Sequence, residues 1–187
     1  MQKPLKEINS VNHRVWITQP HELRTIVKRR ENAFEIAKGK FLESGNIELV
    51  MQTAEAFGRG LFTEFVKDNP KEWTMKKWLV SATEQIFNPL GEGATFTKIS
   101  DEEVKSLVFR NLLHEESPDP ATVSLFTYGF LRGMFLSAFP EGELLMKSTM
   151  AAGAPMSEFI FRAQANGLDH GERERIKNEF TTMKKID

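Results

Sequence analysis

Few side chains in this 187-residue chain stand in patterns that could do chemistry. There is no cysteine, which removes disulfides, thiolate nucleophiles and sulfur-bound zinc or iron–sulfur centres. The four histidines, His13, His21, His114 and His170, have no metal-ligand spacing among them and read as isolated surface or turn residues. Ser148, Thr149 and Ser157 have no partner histidine in view to activate a hydroxyl. Glu141 and Glu143 stand two apart beside a glycine, a weak pattern for acid–base work. Gly58-Arg59-Gly60 falls inside a helical pattern, whereas a phosphate-cradling loop lies between a strand and a helix. No catalytic residue, metal or cofactor is expected.

Two other features carry more. From Ala121 to Phe139 the only charged side chain is Arg132, and aromatic residues surround the run, Phe126 and Phe130 among them. A helix there is apolar nearly all round and must be buried. Gly129 and Gly133 sit one turn apart within it, each costing about 1 kcal/mol relative to alanine. A second helix, Ile47–Asp68, has Val50, Ala54, Phe57, Gly58, Leu61 and Phe65 on one face. Its small residues form two overlapping pairs, Ala54 with Gly58 and Ala56 with Gly60. Glycines so placed call for close backbone approach, to a neighbouring helix or to a ligand. Phe57, Leu61, Phe126, Gly129, Phe130, Gly133 and, from the last hairpin, Phe159 are the candidate binding residues; their plain alternative is solid core. Arg132 either pairs with a carboxylate or reads a ligand's acidic head group from the mouth of the site.

The remaining elements must hold these two helices. A helix over Pro20–Leu42 has Leu23, Ile26, Val27, Phe34, Ala37 and Phe41 at three- and four-residue spacing. Its Lys28-Arg29-Arg30 cluster reads as a solvated face, because Glu31 and Glu35 follow. A helix over Trp73–Asn88 and a strand over Ala94–Ile99 come next. The following segment is ambiguous. Ser100 and Glu103 make a capping box for a helix, yet Ser106–Arg110 suits a strand. Pro118-Asp119-Pro120 leads into the central helix, and strands over Glu143–Met150 and Ser157–Ala163 follow, joined through Gly153. Ile176, Phe180 and Met183 predict a docking helix near the end of the chain.

Composition agrees with a globular domain: 40% hydrophobic and 27% charged, with a formal net charge of −1. That balance provides no global field toward nucleic acid. The central run contains Thr122, Ser124, Thr127, Ser137 and a mid-run Arg132, whose insertion into a membrane would cost about 2.5–3.5 kcal/mol. It predicts a buried helix rather than a transmembrane segment. The first residues lack the apolar core of a signal peptide, so cytoplasm is the expected location.

The order of helix with small residues, second helix, hairpin, aromatic glycine-rich helix and hairpin resembles the 4-vinyl-reductase domain family. That family shares its fold with the vesicle-tethering subunits of Golgi transport (TRAPP) and with haem-based nitric-oxide sensors. The resemblance rests on Ala56-Phe57-Gly58-Arg59-Gly60-Leu61, Val108-Phe109-Arg110-Asn111, Tyr128–Gly133 and Gly153–Phe159. It resolves residues 103–113 in favour of strand. Where relatives typically carry cysteines, four residues either side of the last glycine, this chain has Thr149 and Ser157. A metal site there is therefore not expected. The resemblance implies an α+β fold, an antiparallel sheet of about four strands against helices, over residues 47–163. Residues 1–46 form an N-terminal segment and helix, and 164–187 a helical tail. It further implies a cavity for an apolar small molecule, enclosed by the sheet and the two glycine helices, with no enzymatic role. The alternatives are a dimeric tethering adaptor with a filled cavity and an enzyme with an unrecognised polar site. A homodimer is expected, because the stripes at Leu23–Phe41 and Ile176–Met183 have no evident partner within one domain.

Overall fold

A computed structural model describes residues 20–68, 70–111, 113 and 119–164 of the chain. The expectations for the tail beyond 164 and for His13, His114 and His170 lie outside those residues. Among those residues the architecture is α+β: four helices and a four-stranded antiparallel sheet. The helices are α1 (Pro20–Ser44), α2 (Ile47–Phe65), α3 (Met75–Ala82) and α4 (Pro120–Ala138). The strands are β1 (Gly93–Lys98), β2 (Glu103–Arg110), β3 (Glu143–Ser148) and β4 (Ser157–Arg162), in spatial order β1-β2-β4-β3.

Helix α4 is the middle of the molecule. Asp119 caps it twice, accepting from the Thr122 backbone N–H at 3.2 Å and from the Thr122 hydroxyl at 2.7 Å, while Pro120 occupies its first turn. Thirteen of its 19 residues are buried, which is why its sequence shows no polar face. Among the described residues no helix is long and apolar enough to cross a membrane. One side of α4 meets the sheet, where the Tyr128 hydroxyl donates to the Leu144 carbonyl at 3.3 Å. Trp78 of α3 fills the adjoining corner, its ring 5.0 Å from Phe135 and 5.1 Å from Phe161.

The ambiguous segment is strand β2. Its side chains alternate, with Val104, Ser106 and Val108 buried on the helix-facing side. They lie opposite Phe161, Phe159 and Ser157 of β4. The Ser100–Glu103 pair serves a hairpin instead of a helix cap: the Ile99 and Ser100 N–H groups both donate to the Glu103 carbonyl. Arg162 then ties three strands together, reaching Glu103 at 2.5 Å and the fully buried Glu143 at 2.9 Å. That pairing gives the buried Glu143 carboxylate a cationic partner.

Three helices differ from expectation. The helix predicted over Trp73–Asn88 is α-helical only to Ala82, and Thr83–Phe87 forms a π-helical turn. Its wider bonds, Asn88 N–H to Thr83 carbonyl and Glu92 N–H to Phe87 carbonyl, bury Ile86 and Phe87 side by side. Helix α1 was expected to need a second chain to cover its apolar stripe. Its stripe is covered within the chain: Ile26, Phe34 and Ala37 are buried, and α1 packs along α2 and against α4.

Helix α2 was expected to face the sheet, but its main partner is α4. Here the glycines explain themselves. A Cβ at Gly133 would fall 2.1 Å from the Glu55 carbonyl oxygen, and one at Gly129 would fall 2.4 Å from that of Met51. From the other side, a Cβ at Gly58 would lie 2.2 Å from the Phe130 carbonyl oxygen. The two backbones touch, and no side chain fits between them. Of the two small-residue pairs in α2, Ala54–Gly58 makes this contact, whereas Ala56 and Gly60 face solvent. Gly133→Ala should therefore destabilise the fold by about 1–3 kcal/mol through overpacking against rigid backbone. Gly60→Ala, with open space around it, should be neutral or stabilising by up to about 1 kcal/mol. Urea midpoints of the two variants check this, and a Gly133→Ala protein as stable as the parent would contradict the close crossing.

Candidate ligand site

The face of α4 next to the glycine contact opens onto a cleft. Phe126 and Phe130 form one wall, and Phe57 of α2 lies behind them with ring centroids at 6.3 and 5.8 Å. Phe34 of α1 packs edge-on against Phe126 at 5.5 Å. The opposite wall is the sheet: Ala94 and Phe96 of β1, Val108 of β2 and Phe161 of β4. Phe87, turned inward by the π-helical turn, closes one end and stacks on Phe96 at 6.2 Å. The cleft encloses only about 30 Å³ of free space, within about 480 Å³ that includes the open solvent at its mouth. Its interior is narrow and its lining chiefly aromatic and aliphatic, the kind of surface that takes apolar ligands.

Polar groups are few and local. Arg30 of α1, only 3% exposed, pairs with Glu92 in the loop before β1, and both line the cleft. Arg30 Nε–H is buried with no hydrogen-bond partner among the described residues. An unsatisfied buried donor costs about 1–3 kcal/mol. Further in, the Asn111 amide donates to the Thr127 hydroxyl at 2.9 Å and accepts from the Leu113 N–H at 3.0 Å. Val108, Asn111 and Thr127 also border a second, smaller cleft that continues along α4 toward Ser124, Met150 and Phe159.

The sequence-derived candidates are thus dispersed. Phe126 and Phe130 line the main cleft, Phe159 the smaller one, and Phe57 supports the first two from behind. Leu61 is fully buried in α2 outside both linings. Gly129 and Gly133 abut the α2 backbone, so the space beside them is occupied by protein. Arg132 stands at the same helix crossing, its Nη1 2.5 Å from Glu55, away from both clefts. Thr149 and Ser157 cap the short turn Met150–Ala152: Thr149 accepts from the Ala152 N–H and Ser157 from the Met150 N–H, both at 3.1 Å. Among the described residues no group of three His, Asp or Glu side chains could hold a metal ion.

Arg30 and Glu92 were missed. The solvated-face reading of the basic cluster holds for Arg29, which is part-exposed and pairs with Glu64 at 2.7 Å, but fails for Arg30. The signal was its spacing. Arg30 lies four residues after Ile26 and four before Phe34, within the apolar stripe of α1.

Comparison with known proteins yields fold-level likeness alone. No family model matches the chain, and no curated protein does. Among solved structures it is similar to a trafficking protein particle complex subunit 3 from Naegleria fowleri, covalently bound to palmitic acid. The TM-score is 0.54 at 15% identity, covering 74% of this chain and 94% of the other.

The Glu55 cluster gives a pH test of the helix crossing. Burial raises the Glu55 carboxyl, but hydrogen bonds from Arg59 and Arg132 and the nearby Arg132 charge outweigh it and hold the carboxyl below its ordinary value of 4.5. A depressed folded-state value stabilises the fold above the unfolded-state value, and that contribution is lost as pH falls through the folded one. Glu55→Gln should therefore be less stable than the parent at pH 7, with the gap closing progressively below about pH 4.5. Thermal melts at pH 7 and pH 3 check this. A gap that persisted at low pH would assign the effect of the substitution to packing.

Proposed function

We propose that this protein is a non-enzymatic binding domain that holds an apolar small molecule between α4 and the sheet. The observation that carries the reading is the aromatic-lined cleft, to which the described residues contribute one charged pair, Arg30 and Glu92. The likeness to a fold that holds a fatty acyl group elsewhere supports it. So does the 4-vinyl-reductase resemblance, whose motifs fall on α2, β2, α4 and the last hairpin. Because the chain has no cysteine, an acyl group could not be held here as a thioester. Phe126, Phe130 and Phe159 are the binding residues in this reading, while Gly129, Gly133 and Arg132 act through the helix crossing.

The second reading is a tethering adaptor of the same fold whose cavity its own side chains fill. The narrow interior and the trafficking role named for the similar subunit favour it. A cytoplasmic homodimer belongs to either reading, with an interface other than the buried Ile26, Phe34 and Ala37 of α1.

Ala94→Phe separates the two readings. Ala94 is half-buried and lines the cleft, so a phenyl ring there fills it from the sheet side. A binding domain should take up Nile red or a medium-chain hydrocarbon with micromolar affinity, and the variant should lose at least tenfold while its melting temperature changes little. Parent protein that binds neither probe at tens of micromolar would leave the adaptor reading.

A further inference from the structure

We infer that Ser106, in the middle of β2, is a specificity-determining residue of the cleft. Its hydroxyl hydrogen-bonds an oxygen atom of the bound molecule, so that alcohols and ketones gain a contact that plain hydrocarbons lack. The inference rests on the binding reading above and deepens it. The alternation of β2 puts Ser106 on the helix-facing side between Val104 and Val108, where it lines the cleft. Only 2% of its surface is exposed. Its neighbours across the ladder are Phe96 of β1 and Phe159 of β4, whose side chains offer no hydrogen-bonding group.

The Ser106 hydroxyl has no hydrogen-bond partner among the described residues. The other polar side chains that line the cleft are bonded within the protein, Arg30 to Glu92 and Asn111 to Thr127. Buried hydroxyls are ordinarily paired, and leaving one unpaired among apolar groups is unfavourable. Alanine at this position would pack between the two valines without that cost. A serine here is therefore a burden to the empty fold and a resource for a ligand. Its hydroxyl can donate one hydrogen bond and accept others. It can donate to a ketone and bond an alcohol in either sense, whereas an alkane leaves it unpaired.

Displacement of Nile red by n-octane, 1-octanol and 2-octanone tests this, using the full-length parent, Ser106→Ala and Ser106→Thr. Ser106→Ala should bind octanol and octanone about three- to tenfold more weakly than the parent, the worth of one neutral hydrogen bond, and octane within about twofold. Ser106→Thr keeps the hydroxyl and should keep the parent's ratio of octanone to octane affinity. Without ligand, Ser106→Ala should melt no lower than the parent, since it removes only an unpartnered group. If Ser106→Ala binds all three compounds as the parent does, or loses all three alike, the assignment is overturned and the apolar site stands. A lower melting temperature for Ser106→Ala would overturn it too, by giving the hydroxyl a partner inside the fold. A parent that binds neither Nile red nor any of the three compounds would overturn the binding reading, and Ser106 with it.

Discussion

The contact between the backbones of α2 and α4 is the constraint on which the rest of this structure depends. Gly58, Gly129 and Gly133 face carbonyl groups of the opposite helix at distances no Cβ could occupy. Three glycines in helix interiors weaken those helices locally, by about 1 kcal/mol each. They are offset by the closeness of the crossing, by the burial of α4 along most of its surface and by the Arg132–Glu55–Arg59 cluster. With α2 fixed on one side, α4 can present its next face, Phe126, Thr127, Phe130 and Leu131, to the sheet across a cleft. The close contact and the open space are two sides of one helix. Rings on α2 and α1, Phe57 and Phe34, buttress the cleft wall from behind, so it does not collapse onto the crossing.

Much of this fold was legible in the residues. Asp119-Pro120, the aromatic run behind them and the two β-like hairpins predicted the central helix and the sheet. The glycines announced a close approach, and the close approach is there. What one sequence could not tell was the partner. A glycine face opposed by a backbone and one opposed by a ligand look the same in sequence, and the structure assigns Gly129 and Gly133 to the backbone. Residues 103–110 were balanced between helix and strand because Ser100–Glu103 satisfies either a helix cap or a hairpin. The cross-strand partners in β4, distant in sequence, decide for the strand.

The site was less legible than the fold. Phe126 and Phe130 were found because an aromatic helix face borders most things inside a small domain. Val108, Phe96 and Phe161 were not, since a buried strand residue carries no mark separating cleft wall from core. Arg30 was hidden by its neighbours: beside Lys28 and Arg29 it read as part of a solvated cluster. Its position in the apolar stripe of α1 outweighed its charge. Arg132, the charge expected to read a ligand head group, is paired with Glu55 at the helix crossing instead.

The central claim is that the space between α4 and the sheet accepts apolar matter. Diffraction from crystals pressurised with xenon tests it most directly, since xenon enters dry apolar cavities and needs no polar recognition. The account predicts a xenon site bounded by Phe126 and Phe130 on one side and Phe96 and Val108 on the other. Crystals that take up no xenon there, with those four side chains in mutual van der Waals contact, would contradict it.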